Sequence, residues 1–166
     1  MKIGLGYDIH LLVPPSSPTT LTSPSGFWLG GVFIEASFCV KAVSDGDVLL
    51  HALVDAMLGA LALGNIGERY PETNQINNNR KSTEFVSEVL SELSQKSYKV
   101  TQVDSVIYLE TPKLSPYLIN IRQSLSSMLC LPMDCISVKP KTKEGLENSS
   151  QKQSIAAHVI IILQSS

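Results

Sequence analysis

The chain has 166 residues, enough for one domain with a buried core. Hydrophobic residues make up 43% and charged residues 17%, a globular composition that excludes a disordered chain. A formal net charge of −2 gives no electrostatic ground for a nucleic-acid partner, so any bound phosphate must be held by a local cluster. The longest apolar-rich stretch, Val48 to Leu63, is interrupted by His51 and Asp55 and reads as a buried helix rather than a membrane span. Met1-Lys2-Ile3-Gly4 is expected to enter a strand at once, so no signal or transit peptide is predicted. Cys39, Cys130 and Cys135 are odd in number and sit in mostly apolar settings, which fits reduced thiols in a cytoplasmic protein.

In chain order, Lys2 to Ile9 is predicted as a strand, and the Pro-, Ser- and Thr-rich run Leu12 to Gly26 as an exposed loop. Phe27-Trp28-Leu29 and Val32-Phe33-Ile34 flank Gly30-Gly31, a two-residue turn able to take positive φ, and so predict a β-hairpin. Ser44 or Asp45 is expected to cap a helix running to about Leu63, with Gly64 as its stop. Asn65 to Asn79 reads as a polar loop. Thr83 to Lys96 places Phe85, Val86, Val89, Leu90 and Leu93 at helical spacing, an amphipathic surface helix. Val100 to Leu109 follows as a strand, and Pro112 to Pro116 as a turn. Tyr117 to Leu129 reads as a helix with Leu118, Ile121, Leu125 and Met128 on one face. Ile136 to Lys141 and Ser154 to Leu163 complete the strands. Alternating strands and helices predict a single two-layer α/β domain over residues 1–166, with no internal repeat.

The residues able to carry chemistry lie near the start. Asp8 and His10 are two apart on a strand, so both side chains leave the same face. His51 sits on the first helix with Asp47 and Asp55 four residues to either side, on its own face. One carboxylate and two neutral imidazoles make a three-ligand zinc site with a fourth position open, the catalytic pattern. Spacing alone equally admits a core histidine bonded to Asp47 or Asp55. If His51 is a ligand, a carboxylate one turn away can accept its other ring N–H, and Asp55 is the first candidate. Gly4-Leu5-Gly6 lacks the third glycine and helix start of a nucleotide loop and points to close backbone packing. Lys139, Lys141 and Lys143 read as a charged strand edge.

Gly4-x-Gly6-Tyr7-Asp8-Ile9-His10, Leu29-Gly30-Gly31-Val32, Ser44-Asp45-Gly46-Asp47-Val48-x-x-His51-Ala52-Leu53-x-Asp55-Ala56 and Ala62-Leu63-Gly64-x-Ile66-Gly67 resemble the 2-C-methyl-D-erythritol 2,4-cyclodiphosphate synthase family. Val103-Asp104, Thr111-Pro112-Lys113, Val138-Lys139 and Thr142-x-Glu144 extend the resemblance over nearly the whole chain. It implies a two-layer α+β domain with a mixed four-stranded sheet, helices on one side and a hairpin extension, assembled as a homotrimer with sites between subunits. By the same resemblance Asp8, His10 and His51 are zinc ligands, and Glu144 holds a second cation, magnesium or manganese. The implied reaction is a phosphorus-oxygen lyase step: the substrate's 2-phosphate attacks the outer phosphorus of a cytidylyl-linked diphosphate, and CMP leaves. Thr142 would orient the diphosphate, with Lys141, Lys143 and Glu144 beside it. Val43, Ser44, Asn65, Ile66 and Gly67 would contact the sugar-alcohol phosphate, Tyr70 and Glu72 would complete that pocket, and Asp8 and His10 would also meet the substrate; Leu109, Thr111, Pro112 and Lys113 would line the cytosine pocket.

Three positions depart from the family pattern. Val43 stands where a histidine is usual, Asn65 where an aspartate is, and Ser150-Gln151-Lys152-Gln153-Ser154 replaces a Gly-Arg-Gly-Glu-Gly stretch. A valine cannot donate a hydrogen bond, and losing one such donor typically raises a barrier by about 2.7–4 kcal/mol. The rival readings are a zinc phosphoesterase, which would give a linear product, and a non-catalytic trimer that binds isoprenoid diphosphates. The apolar final strand Ile155 to Ile161 fits burial in an assembly or a central place in one sheet.

Overall fold

The structure, a computed structural model, describes residues 1–15, 25–71, 73–145 and 153–165. Strand β1 (Lys2–Val13) is longer than predicted, because Leu11, Leu12 and Val13 pair with a short strand β4 (Cys39–Lys41). The predicted loop from Leu12 therefore begins only after Val13. Residues 16–24 of it lie outside the described residues, and Gly26 already belongs to the hairpin. Strands β2 (Gly26–Leu29) and β3 (Val32–Glu35) form that hairpin in the expected register, and Gly30 and Gly31 both take positive φ at its turn. Strands β5 (Tyr98–Tyr108), β6 (Ile136–Lys141) and β7 (Ser154–Ser165) complete the main sheet.

The sheet order is β4-β1-β7-β5-β6; β5 and β6 are parallel and the other pairs antiparallel. The sheet is mixed, as expected, but has five strands rather than four. The extra strand is β4, whose three residues are too few to show a period-two pattern in sequence.

Helices α1 (Val48–Ala60), α3 (Ser82–Gln95) and α4 (Leu118–Leu129) contribute to one continuous core with the sheet. The cap of α1 differs from expectation. Asp47, not Ser44 or Asp45, accepts the N–H of Leu50, because Gly46 at φ +70° still turns the chain before it. The helix also stops earlier than Leu63: Ala62 takes a left-handed φ of 56°, and the N–H groups of Leu61 and Leu63 close back on the Leu58 carbonyl. The segment predicted as a loop from Asn65 to Asn79 contains a four-residue helix α2 (Ile66–Arg69), started by a capping box between Asn65 and Glu68, and a 3₁₀ turn at Gln75–Asn77. A single helical turn carries no readable period. No helix among the described residues is long and apolar enough to cross a membrane.

Period-two alternation sorts β1 onto two faces. Gly4, Gly6, Asp8 and His10 fall on one side; Ile3, Leu5, Tyr7 and Ile9 fall on the other. A Cβ at Gly4 would lie 1.9 Å from the Ala56 carbonyl oxygen, and one at Gly6 would lie 1.9 Å from that of Ala52. Helix α1 thus rests directly on the backbone of β1, the close packing predicted for the glycine pair. The opposite face remains apolar in the single chain, with Ile3 at 62% and Leu5 at 64% exposure beside half-exposed Tyr7, Ile9 and Ile160. Strand β7 is central in its sheet and buries Ile155, Ala157, Val159, Ile161 and Leu163 on the helix side. That central place accounts for the buried side, while His158 and Ile160 point to the open face.

Asp47 ties this frame to the hairpin. Its fully buried carboxylate accepts from Gly30 N–H at 2.8 Å, Gly31 N–H at 2.7 Å and Leu50 N–H at 3.0 Å. Gly6→Ala should force α1 off the sheet and destabilise the chain by at least about 2 kcal/mol in chemical denaturation. A change smaller than about 0.5 kcal/mol, the range of an innocuous surface substitution, would show that the helix is not seated on the strand.

Candidate active site

The seating of α1 on β1 brings Asp8, His10 and His51 together. Asp8 and His10 project from β1 toward the helix, and His51 projects from the first turn of α1, which Asp47 starts. Asp8 Oδ2 lies 3.0 Å from His10 Nε2 and 3.0 Å from His51 Nδ1, and the two ring nitrogens are 3.2 Å apart. Three donor atoms of one carboxylate and two imidazoles converge on a point, a set suited to a divalent cation with part of its coordination left open. Among the described residues this is the one such cluster of three.

The electrostatics fit a cation. Burial pushes the Asp8 carboxyl up, but hydrogen bonds and charge from His10 and His51 outweigh it and hold the group well below the usual carboxylate range. Burial pushes His51 down; the hydrogen bond and charge of Asp8, then the charges of Asp47 and Asp45, bring it above the ordinary imidazole value. Without metal, a proton on His51 meets the Asp8 charge that a cation would otherwise meet.

A cavity of about 160 Å³ opens beside the cluster. Its walls include Val43, Ser44, Ile66, Gly67 and Tyr70, all site candidates from sequence, together with Lys41, Asn77 and Phe85. Tyr70 stacks on Phe85 with ring centroids 4.4 Å apart and donates its hydroxyl to Glu88 at 2.9 Å. Asn65 caps α2 instead of facing the cavity, and Glu72 lies outside the described residues. Lys41, from the unpredicted strand β4, is the one lysine or arginine among the described lining residues.

Asp55 does not do what spacing suggested. Its carboxylate accepts the Ile66 N–H at 2.6 Å, tying α1 to α2, and burial pushes its carboxyl up. Asp47 is engaged with the hairpin, and its complete burial pushes its carboxyl up against three N–H donors. The outward ring nitrogen of His51 meets hydroxyls instead: Ser82 Oγ at 2.8 Å and Ser44 Oγ at 3.2 Å. Ser82 escaped the sequence reading because it lies 31 residues beyond His51, on a different helix.

The remaining candidates form a second cluster at the β5–β6 edge. Leu109 N–H donates to the Lys141 carbonyl at 3.0 Å, and Lys143 N–H to Glu110 Oε2 at 2.9 Å, joining the segment after β5 to the one after β6. Thr111-Pro112 is a cis peptide there, with Lys113 following, and the Thr142 hydroxyl donates to the Glu144 carboxylate. Lys143 Nζ donates to the Ser154 carbonyl at 2.7 Å. None of these residues lines the cavity beside the triad among the described residues. Lys139, read as a charged edge, does lie on the edge strand β6, and it pairs with Asp104 of β5 at 2.5 Å.

Metal must displace the proton that the raised His51 pKa retains. Zinc affinity, measured by chelator competition, should therefore rise about tenfold per pH unit until His51 is deprotonated, and then level off. Affinity independent of pH through that range would contradict the triad as ligand set. The metal-free chain responds differently. Stability from the lowered Asp8 pKa is present above the ordinary carboxylate value and lost as pH falls through the lowered one. Stability from the raised His51 pKa is present below the ordinary imidazole value and lost as pH rises through the raised one.

Known proteins resemble this chain over nearly its whole length. The family model described as the YgbB family matches residues 1–164. The 2-C-methyl-D-erythritol 2,4-cyclodiphosphate synthase of Clostridioides difficile is 37% identical over 163 residues, 98% of this chain and 96% of its own. That of Francisella philomiragia is 36% identical over 162 residues, covering 98% and 97%. A solved 2C-methyl-D-erythritol-2,4-cyclodiphosphate synthase in its CDP-bound form superposes with a TM-score of 0.85 at 32% identity, covering 98% of this chain and all of the other. A CDP complex from Plasmodium falciparum gives 0.80 at 32% identity, covering 99% and 96%. The chain belongs to the YgbB family, that of the 2-C-methyl-D-erythritol 2,4-cyclodiphosphate synthases.

Proposed function

We propose that the chain converts 4-diphosphocytidyl-2-C-methyl-D-erythritol 2-phosphate to 2-C-methyl-D-erythritol 2,4-cyclodiphosphate and CMP, in the cytoplasm, as a homotrimer that uses zinc. The observation that carries this reading is the convergence of Asp8 Oδ2, His10 Nε2 and His51 Nδ1 within 3.2 Å of one another at the mouth of a cavity. Bound zinc would withdraw charge from the outer phosphate of the diphosphate. An oxygen of the 2-phosphate forms the new bond to that phosphorus, the bond to the cytidylyl phosphate breaks, and CMP carries away the electron pair. Positioning and charge stabilisation suffice for such a transfer, and no protein nucleophile is needed.

The roles divide between the cavity beside the triad and the cluster at the β5–β6 edge. Ser44, Ile66, Gly67 and Tyr70 hold the sugar-alcohol phosphate, with Val43 contributing shape but no side-chain donor; Glu72 is assigned to the same end, and Asn65 serves it indirectly by capping α2. Leu109, Thr111, Pro112 and Lys113 take the cytosine. Lys141, Thr142 and Lys143 take the diphosphate, and Glu144 a magnesium or manganese ion, whose hardness suits oxygen ligands. Asp55 acts on this centre through its bond to Ile66 N–H, which sets α2 against the cavity. The separation of the two clusters within one chain favours sites built between subunits. The open apolar face of β1 and β7 supports the assembly, since a patch of this kind on a soluble domain marks an interface.

Incubation with the 2-phosphorylated substrate, zinc and magnesium should yield CMP and a cyclic product by mass. His51→Ala or Asp8→Ala should lower kcat by more than about 10²-fold, since charge stabilisation of several kcal/mol is removed. A linear product, or full turnover after exhaustive removal of zinc, would contradict the assignment. Val43→His should leave kcat unchanged or raised. A fall beyond about tenfold, some 1.4 kcal/mol of barrier, would assign valine a packing role of its own.

A further inference from the structure

We propose that Asp45 and Ser82 form a positioning relay that fixes His51 as a ligand through Nδ1 and thereby sets the metal affinity of the site. The inference rests on the metal reading above and goes beyond it, because neither residue belongs to the ligand set.

Ser82 is the first residue of α3 and is fully buried. Its hydroxyl touches both Asp45 Oδ1 and, at 2.8 Å, His51 Nε2. A serine hydroxyl has one hydrogen to give. The Asp45 carboxylate collects donors only: Ser82 N–H reaches Oδ2 at 2.9 Å and Asp47 N–H reaches Oδ1 at 3.3 Å. The hydroxyl hydrogen therefore points to Asp45, and Ser82 Oγ offers a lone pair to His51. That lone pair requires a proton on Nε2. Ser44 Oγ, 3.2 Å from the same nitrogen, accepts the Gly46 N–H at 3.3 Å and can share the ring N–H.

With Nε2 protonated, a neutral His51 has its lone pair on Nδ1, aimed at Asp8 Oδ2 and His10 Nε2. The opposite tautomer would place a hydrogen among the ligand atoms and set the Nε2 lone pair against Ser82 Oγ. Metal-ligating histidines are held by a partner on their other ring nitrogen, and such partners strongly affect affinity. Asp47 and Asp55, the carboxylates on the face of α1 that carries His51, are engaged elsewhere. The partner is delivered from α3, so docking of that helix aligns a ligand that α1 supplies.

The test compares zinc affinity by chelator competition in the wild type, Ser82→Ala and Asp45→Asn, with ring-nitrogen NMR of the zinc-loaded proteins. Ser82→Ala keeps the backbone N–H bond that anchors α3 to Asp45. Asp45→Asn presents an amide that can donate to Ser82, freeing the hydroxyl to donate to His51 and favouring the wrong tautomer, as an Asp-to-Asn change does beside a triad histidine. Both variants should bind zinc about 10- to 100-fold more weakly. The slowly exchanging His51 Nε2–H resonance of the wild type should move upfield and exchange faster in Ser82→Ala. Wild-type affinity in Ser82→Ala, whatever Asp45→Asn does, would overturn the relay, as would an unchanged ring N–H resonance. A wild type that fails to bind zinc would instead sink the metal reading, and the relay with it.

Discussion

The contact between α1 and β1 governs this molecule. Backbone can meet backbone there only because positions 4 and 6 lack a Cβ, which would otherwise intrude to 1.9 Å of a helix carbonyl. Strand alternation then carries the same face on to Asp8 and His10, and the helical turn before Ala52 presents His51 opposite them. A shift of the helix by one side-chain layer would separate atoms that now lie about 3 Å apart, a spacing that leaves no slack for a shared ligand. Asp47 and Asp55 secure the two ends of this arrangement, one through the hairpin turn and the other through α2.

A second constraint is electrostatic. Placing a carboxylate and two imidazole nitrogens in mutual contact aims lone pairs at a common point, which is unfavourable unless a positive charge occupies it. Lowered acidity at His51 and heightened acidity at Asp8 are two expressions of that one demand. The hydroxyls of Ser82 and Ser44 on the far side of the His51 ring, backed by Asp45, extend the polar network into the first turn of α3. The triad is thus braced by a helix that contributes none of its three side chains.

Much of this was legible in the sequence where a local rule applied. The Gly30-Gly31 turn, the strand Ile136 to Lys141 and the amphipathic face of α3 follow from turn chemistry and periodicity, and the structure places them as read. Asp8 and His10 could be put on one face because a strand alternates. What escaped was short or non-local. Strand β4 and helix α2 are too short to repeat a period often enough to be read. The end of α1 was displaced because Ala62, not a glycine, adopts the left-handed turn. Asp55 sat at the right helical spacing for His51, yet Ile66 N–H claimed it, and the hydroxyl that meets His51 comes from Ser82 on another element. Spacing along one helix identifies neighbours but not which of several acceptors an imidazole will find. Residue 72 and residues 146–152, which include the first three positions of the altered 150–154 stretch, lie outside the described residues.

The central claim is that one divalent ion is held jointly by β1 and α1. Anomalous diffraction at the zinc absorption edge, on crystals of the native protein, tests it most directly. The account predicts a single peak about 2.0–2.2 Å from Asp8 Oδ2, His10 Nε2 and His51 Nδ1. A peak bound through His51 Nε2, or zinc located away from this trio, would contradict it.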